Sequence, residues 1–111
     1  MPAASLPSLD RTLAALADQE RRRAVDLLRD RPRRAGELAE ALGVAPSAMS
    51  RHLKVLRASG LVTEAHPEFD ARVRIYSLRP EPMAELRAWL ELTERGWVQQ
   101  LAAFQAHLAG P

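Results

Sequence analysis

Residues 35–62, AGELAEALGVAPSAMSRHLKVLRASGLV, decide the fold. Leu38, Ala41 and Leu42 recur at i, i+3, i+4, the spacing that gives a helix one apolar face. Gly43 then supplies a residue able to take a left-handed backbone, which ends a helix with little strain. Val44 fills the angle that follows. Pro46 has no N–H to lose and suits the first turn of a second helix. That helix buries Met49, Leu53 and Leu56, spaced by four and three. On its opposite side Ser47, Ser50, Arg51 and Lys54 fall at i, i+3, i+4, i+7. Gly60 closes it.

Two short helices joined by a tight turn make a helix-turn-helix. The second has its apolar side on a core and short hydroxyls plus cations outward, which is what the major groove of DNA admits. An ordinary helical hairpin with a solvated polar face has the same spacing. The flanking segments separate the two readings.

Upstream, residues 1–7 are a loose, Pro-containing start. Leu6, Leu9, Leu13 and Leu16 then mark an amphipathic helix. Asp18 reads as the N-cap of another, over 19–30, with Val25, Leu27 and Leu28 as its apolar residues. Pro32 breaks the chain before the reading unit. Downstream, 61–65 and 73–78 read as strands, with 67–72 as the tip of a hairpin between them. A β-hairpin directly after a reading helix is a wing. The expected fold is mainly α with this small hairpin, in the order α-α-α-α-β-β-α, as one winged helix-turn-helix domain over 8–111.

Pro80 and Pro82 open a long last helix. Met83, Leu86, Leu90, Thr93, Trp97, Leu101, Phe104 and Leu108 step by three and four along it. So long an apolar seam exceeds what a small core can cover, and it asks for a partner. The expected partner is a second copy, held through Leu6, Leu9 and Leu13 of the first helix. The last helix would add Leu86, Trp89, Leu90, Trp97, Leu101, Phe104 and Leu108. A two-fold dimer would set two reading helices about one DNA turn apart, over a palindromic operator.

With 111 residues the chain suits one domain with a modest core. It holds no cysteine, which removes disulfides, thiolate metal sites and thiol redox chemistry. No segment has the make-up of a signal peptide or a membrane span, so a cytoplasmic protein is expected. Net charge is only +2, yet residues 18–60 hold ten basic residues against six acidic. The basic excess thus falls on and beside the reading unit, where phosphates would be. No Gly-rich phosphate loop or paired acid and base is present, and three His give little to do chemistry with. An enzyme is not expected, nor a cofactor.

The order helix, ALADQERRRAVDLL, AGELAEALGVAPSAMSRHLKVLRASGLV, wing, YSLRP, long terminal helix resembles the ArsR/SmtB winged helix-turn-helix repressors. The likeness spans residues 8–108. It is most specific at Leu16-Ala17-Asp18 with Arg22, and at residues 50–56, SRHLKVL, followed by Gly60-Leu61-Val62. The resemblance implies a homodimer that binds an operator near its own promoter and releases it on a signal. It implies that Pro46, Ser47, Ser50 and Arg51 meet bases or nearby phosphates, and that Lys54, Arg72 and Arg74 meet the backbone.

The chain departs from that pattern in three places. The metal-sensing members carry a Cys-rich motif where this chain has GELAEAL at 36–42, or His and carboxylate ligands on the terminal helix, where His107 stands alone. No metal site is expected. Arg33 and Arg34 replace a helix-capping hydroxyl and put two cations near the DNA backbone. The wing tip, with Glu68 and Asp70, is acidic and would repel phosphate. A metal bound by His66, Glu68 and Asp70 is less expected than plain hairpin polarity.

Several alternatives stay open on the sequence. Ser47 and Ser50 fit a first-turn cap as well as a base contact. Arg51 could instead pair with an acidic neighbour. His52 reads as packed or hydrogen-bonded rather than as a switch. The effector is an organic molecule near Trp89, Trp97 and Phe104, another protein, or none, which leaves an autorepressor set by its own concentration. A competing class is a protein–protein module that docks its partner on the terminal helix.

Overall fold

The computed structural model describes residues 5–110, and side chains from residue 8. Its elements run α1 (Ser5–Leu16), α2 (Gln19–Asp30), β1 (Arg33–Arg34), α3 (Ala35–Leu42), α4 (Pro46–Ala58), β2 (Val62–Ala65), β3 (Ile75–Leu78) and α5 (Pro80–Ala109). Helix α1 begins at Ser5, inside the stretch expected to be loose. Pro7 is tolerated there because first-turn N–H groups have no acceptor within the helix. The expected Leu6 contact lies outside the described side chains, as do residues 1–4 altogether.

Burial on α1 runs through Leu9, Thr12 and Ala15, and Leu13 is left half exposed at its edge. The Thr12 hydroxyl is satisfied by donating to the Ser8 carbonyl at 3.1 Å. Leu9 is therefore spent inside the protomer, at 7% exposure, and not on a partner. The end of α1 is closed by α2. Arg21 Nε donates to the Ala15 carbonyl at 2.6 Å, and Arg22 Nη1 to that of Leu16 at 2.8 Å. These carbonyls lack intrahelical donors, and a cation suits the negative end of the helix. Asp18 caps α2 as expected, accepting the Arg21 amide at 3.1 Å.

The expected two-stranded wing is a three-stranded antiparallel sheet of order β1-β3-β2. Arg33 and Arg34, just before α3, pair with Tyr76 and Ile75. Two residues carry no periodicity, so nothing local announced this strand. The pairing anchors the central strand of the wing to the entrance of the reading unit.

Helices α3 and α4 end alike. Gly43 (φ 66°) and Gly60 (φ 84°) take the left-handed backbone. Beyond each, an amide reaches back into the last turn, Val44 to the Ala39 carbonyl at 2.9 Å and Leu61 to that of Leu56 at 3.1 Å. The core gathers Leu38, Met49, Leu53, Leu56 and Leu61, all fully buried, with Val25 and Leu28 of α2 and Tyr76 of β3. It fixes the inner face of α4 and thereby the direction of its outer one.

Helix α5 packs on α1 only near its start, and Pro82 is its one buried residue. At 30 residues it runs about 45 Å, and the molecule measures 73 × 34 × 20 Å. Trp89, Leu90, Trp97, Leu101, Phe104 and Leu108 are exposed along it, while Leu86 is partly covered. The helix does not fold back on its own domain. Leu92 and Val98, exposed as well, lie off the stripe at 100° per residue.

Candidate nucleic-acid interface

The outer face of α4 is built from its first turn onward. Ala45 is the N-cap and offers no side-chain cap, with Pro46 following at the first helical position. Neither serine is thus a cap. Ser47 and Ser50 are exposed, and neither hydroxyl has a hydrogen-bond partner among the described residues. Arg51 and Lys54 are exposed too, and no carboxylate among the described residues pairs with either. Two hydroxyls and two cations therefore point outward on a helix whose other side is core. His52, next to them, is only partly exposed. Its Nδ1 stands 3.5 Å from Arg21 Nη1 and 4.0 Å from Asp18 Oδ1, tying the middle of α4 to the start of α2.

Between α4 and the wing lies an open cleft of about 630 Å³, lined among others by Ser50, Lys54, Arg57, Glu64, Arg74 and Tyr76. Glu64 is its centre, with a side chain only 10% exposed. Its Oε2 takes Arg57 Nη1 at 3.0 Å, the Tyr76 hydroxyl at 3.0 Å and Arg74 Nη1 at 3.9 Å, and His66 Nε2 stands 3.5 Å from Oε1. Burial alone would push the Glu64 carboxyl upward. The Tyr76 hydroxyl and the cations Arg57 and Arg74 outweigh it and hold the group below its ordinary range. Burial, and then the Glu64 carboxylate, push the Tyr76 hydroxyl up.

Sequence reasoning missed Arg57, Glu64 and Tyr76. Arg57 was within reach, since Ser50, Lys54 and Arg57 fall at i, i+4, i+7 and simply extend the polar stripe. Glu64 carried no such signal, because its partners come from α4 and from the far side of the hairpin.

The basic excess over residues 18–60 has a different meaning from the one its position suggested. Arg21 and Arg22 close α1, and Arg23, Arg29 and Arg31 pair with Glu20, Asp26 and Glu37. Arg33, with a side chain only 14% exposed, donates Nε to the Leu27 carbonyl at 3.2 Å and pairs with Asp30. It closes α2 and does not line the cleft. Arg34 is exposed and no ion pair holds it among the described residues, while its backbone amide donates to Glu37 Oε1 at 3.1 Å. That contact is the carboxylate half of a capping box, and no side chain of Arg34 replaces the lost hydroxyl. Of the ten, Arg34, Arg51 and Lys54 have no side-chain partner among the described residues.

At the wing tip Asp70 Oδ1 accepts the Arg72 amide at 3.0 Å and Arg72 Nε at 3.3 Å, so a turn carboxylate already holds that cation. Phe69 is 81% exposed beside it. His66 Nδ1 faces the Val73 carbonyl at 3.1 Å. Among the described residues no cluster of His, Asp and Glu could hold a metal ion, and no helix is long and apolar enough to cross a membrane.

A core-anchored helix with free hydroxyls and cations outward, followed by a sheet wing, defines a winged helix-turn-helix DNA-binding protein. Residues 18–64 match the family described as bacterial regulatory protein, arsR family. The HTH-type transcriptional regulator Rv2034 of Mycobacterium tuberculosis (strain ATCC 25618 / H37Rv) is 39% identical over 97 residues, 87% of this chain and 85% of that one. An ArsR-like transcriptional regulator from Rhodococcus sp. RHA1 superposes with a TM-score of 0.79 at 27% identity, over 96% of both chains. The homodimeric winged helix-turn-helix DNA-binding domain Mb0332 of Mycobacterium bovis gives 0.66 at 28% identity, over 85% of this chain and 84% of that one. The chain belongs to the ArsR family of transcriptional regulators and is not an enzyme.

Proposed function

We propose that this regulator is a homodimeric repressor that binds a palindromic operator in its own promoter region, with α4 in the major groove. The observation that carries the reading is the outer face of α4, where Ser47, Ser50, Arg51 and Lys54 are exposed and have no side-chain partner among the described residues. In this reading Pro46, Ser47, Ser50 and Arg51 meet base edges or the phosphates beside them. Lys54, Arg34 and Arg74 meet the backbone. Arg72, 93% exposed beside Asp70, meets it as well, with the acidic neighbour offsetting part of the attraction. Arg33 shapes the approach from behind, through α2.

The M. bovis relative is homodimeric, and here α5 leaves Trp89, Leu90, Trp97, Leu101, Phe104 and Leu108 uncovered, with Leu13 of α1 half exposed. Pairing of α1 and α5 with their symmetry mates would cover them and space two α4 helices at about 34 Å. The dimer would act in the cytoplasm, where the chromosome is.

Fluorescence anisotropy on the upstream promoter fragment and a scrambled duplex, across a salt series, tests the reading. Preference for the promoter that falls steeply with salt supports it. Equal binding to both duplexes would remove operator recognition. Binding to neither would move the weight to α5 as a dock for another protein.

A further inference from the structure

A carboxylate in the middle of a phosphate-facing cleft is out of place electrostatically, and Glu64 is there with its side chain 10% exposed. A structural need for an acceptor is met otherwise, because a Gln would also accept the Tyr76 hydroxyl, if less strongly. What a Gln would not do is hold two guanidiniums, one from each side of the cleft. Arg57 comes from α4 and Arg74 from the tip-side end of β3, and both converge on Oε2. Their side chains are themselves 55% and 61% exposed, so phosphates can reach them.

We propose that Glu64 is a specificity-determining positioning residue: it holds Arg57 and Arg74 in place across the cleft and so keeps binding to random DNA weak. The proposal rests on the DNA-binding reading of α4 and the wing. A guanidinium has five N–H donors and can bridge Glu64 and a phosphate together, provided the phosphate comes to the held position. A duplex seated by base contacts along α4 brings its phosphates there. A random duplex binds by charge alone, and to use these arginines it must pull them from a sheltered carboxylate that solvent screens poorly. Glu64 thus presents the arginines to the right complex and withholds them from the wrong one.

The test is Glu64→Gln in the full chain, measured on promoter and scrambled duplexes over a salt series. The scrambled duplex should bind roughly ten-fold tighter, with a salt slope steeper by about one to two, the count of phosphates newly engaged. The promoter affinity should stay within about two-fold, so the ratio between them shrinks. In an Arg57→Gln, Arg74→Gln background the same substitution should give no gain. Tyr76→Phe, which removes the hydroxyl but leaves the clamp, should give none either. Unchanged or weaker binding of the scrambled duplex by E64Q overturns the proposal, and so does a gain that survives without the arginines. A gain reproduced by Y76F would show that Glu64 only anchors the wing. If the wild-type protein shows no promoter preference, the operator reading fails, while the scrambled duplex still decides whether the clamp exists. If no duplex binds either protein at low salt, both fall.

Discussion

The amide of Leu61 donates to the carbonyl of Leu56 at 3.1 Å, and the bond can form only because Gly60 between them sits at φ 84°. Helix α4 ends two residues before Gly60, at Ala58, and β2 starts two residues after it, at Val62. A Cβ at Gly60 would stand 3.9 Å from Arg79 Nη1 and 4.0 Å from Pro82 Cγ, which is ordinary contact. Space is not the constraint; the backbone angle is. Gly60→Ala is expected to lower stability by about 1 kcal/mol through left-handed strain alone, or about 5 °C in Tm for a domain of this size. Thermal unfolding by circular dichroism measures it, and an unchanged Tm would mean the turn relaxes at no cost.

Arg51 and Lys54 both lack a side-chain partner among the described residues, yet their expected effects differ. Arg51→Ala should cost about 1–3 kcal/mol on the operator and much less on duplexes altered at the contacted base pair. Lys54→Ala should weaken all duplexes alike and reduce the salt slope by about one. Anisotropy across a set of single-base operator variants separates them. A uniform loss for Arg51→Ala would demote it to a phosphate contact.

Neighbouring arginines make a sharper pair. Arg33 donates to the Leu27 carbonyl and pairs with Asp30, while Arg34 is exposed and has no ion pair among the described residues. Arg33→Gln is expected to lower the thermal midpoint and leave the salt slope of DNA binding unchanged. Arg34→Gln should do the opposite. Reversed results would place Arg33 on the DNA and Arg34 in the scaffold.

Acid should loosen the fold through three carboxylates. The Arg21 amide holds Asp18 below its ordinary value of 3.8, and the Arg34 amide holds Glu37 below 4.5. Glu64 is held below 4.5 as well, where the Tyr76 hydroxyl and the surrounding cations outweigh its burial. Groups with depressed folded values contribute stability that is complete above their unfolded values and is lost as pH falls through the folded ones. The thermal midpoint should therefore be level from pH 7 to about 5.5 and fall below about 4.5. Asp18→Asn combined with Glu37→Gln should start lower and fall less steeply. An equally steep fall in that variant would locate the acid sensitivity elsewhere.

Trp97 is 61% exposed in the protomer. If α5 pairs with a second copy, Trp97→Glu should shift sedimentation from dimer toward monomer at micromolar concentration while the far-ultraviolet spectrum stays helical. Operator affinity should fall with it, because each half-site is then bound alone. A variant that sediments as the wild type does would remove this face from the interface.

Five helices and their order were legible because the signals are local. Apolar residues three and four apart, Asp18 before α2, and Gly43 and Gly60 after α3 and α4 each act within one or two turns. What stayed hidden depends on partners distant in sequence. Strand β1 exists because β3 comes to it. The run Arg21-Arg22-Arg23 announced charge, but charge does not say whether a phosphate or a helix end will receive it. On α1 the leucine stripe suggested that Leu9 and Leu13 share a fate, yet the buried arc runs through Thr12 and Ala15, leaving Leu13 at its edge. In the site, the face of α4 was readable and the Glu64 junction was not.

The pairing of Arg33 and Arg34 with Tyr76 and Ile75 runs through backbone atoms. Main-chain bonds do not care which side chains flank them, provided no proline removes a donor. The wing is thus joined to the front of the reading unit by a seam that is indifferent to sequence. A wing grafted from a relative onto this chain should dock without redesign of residues 33 and 34, whereas the same graft stripped of that short strand should be held by the core contacts of Leu61, Val62 and Tyr76 alone.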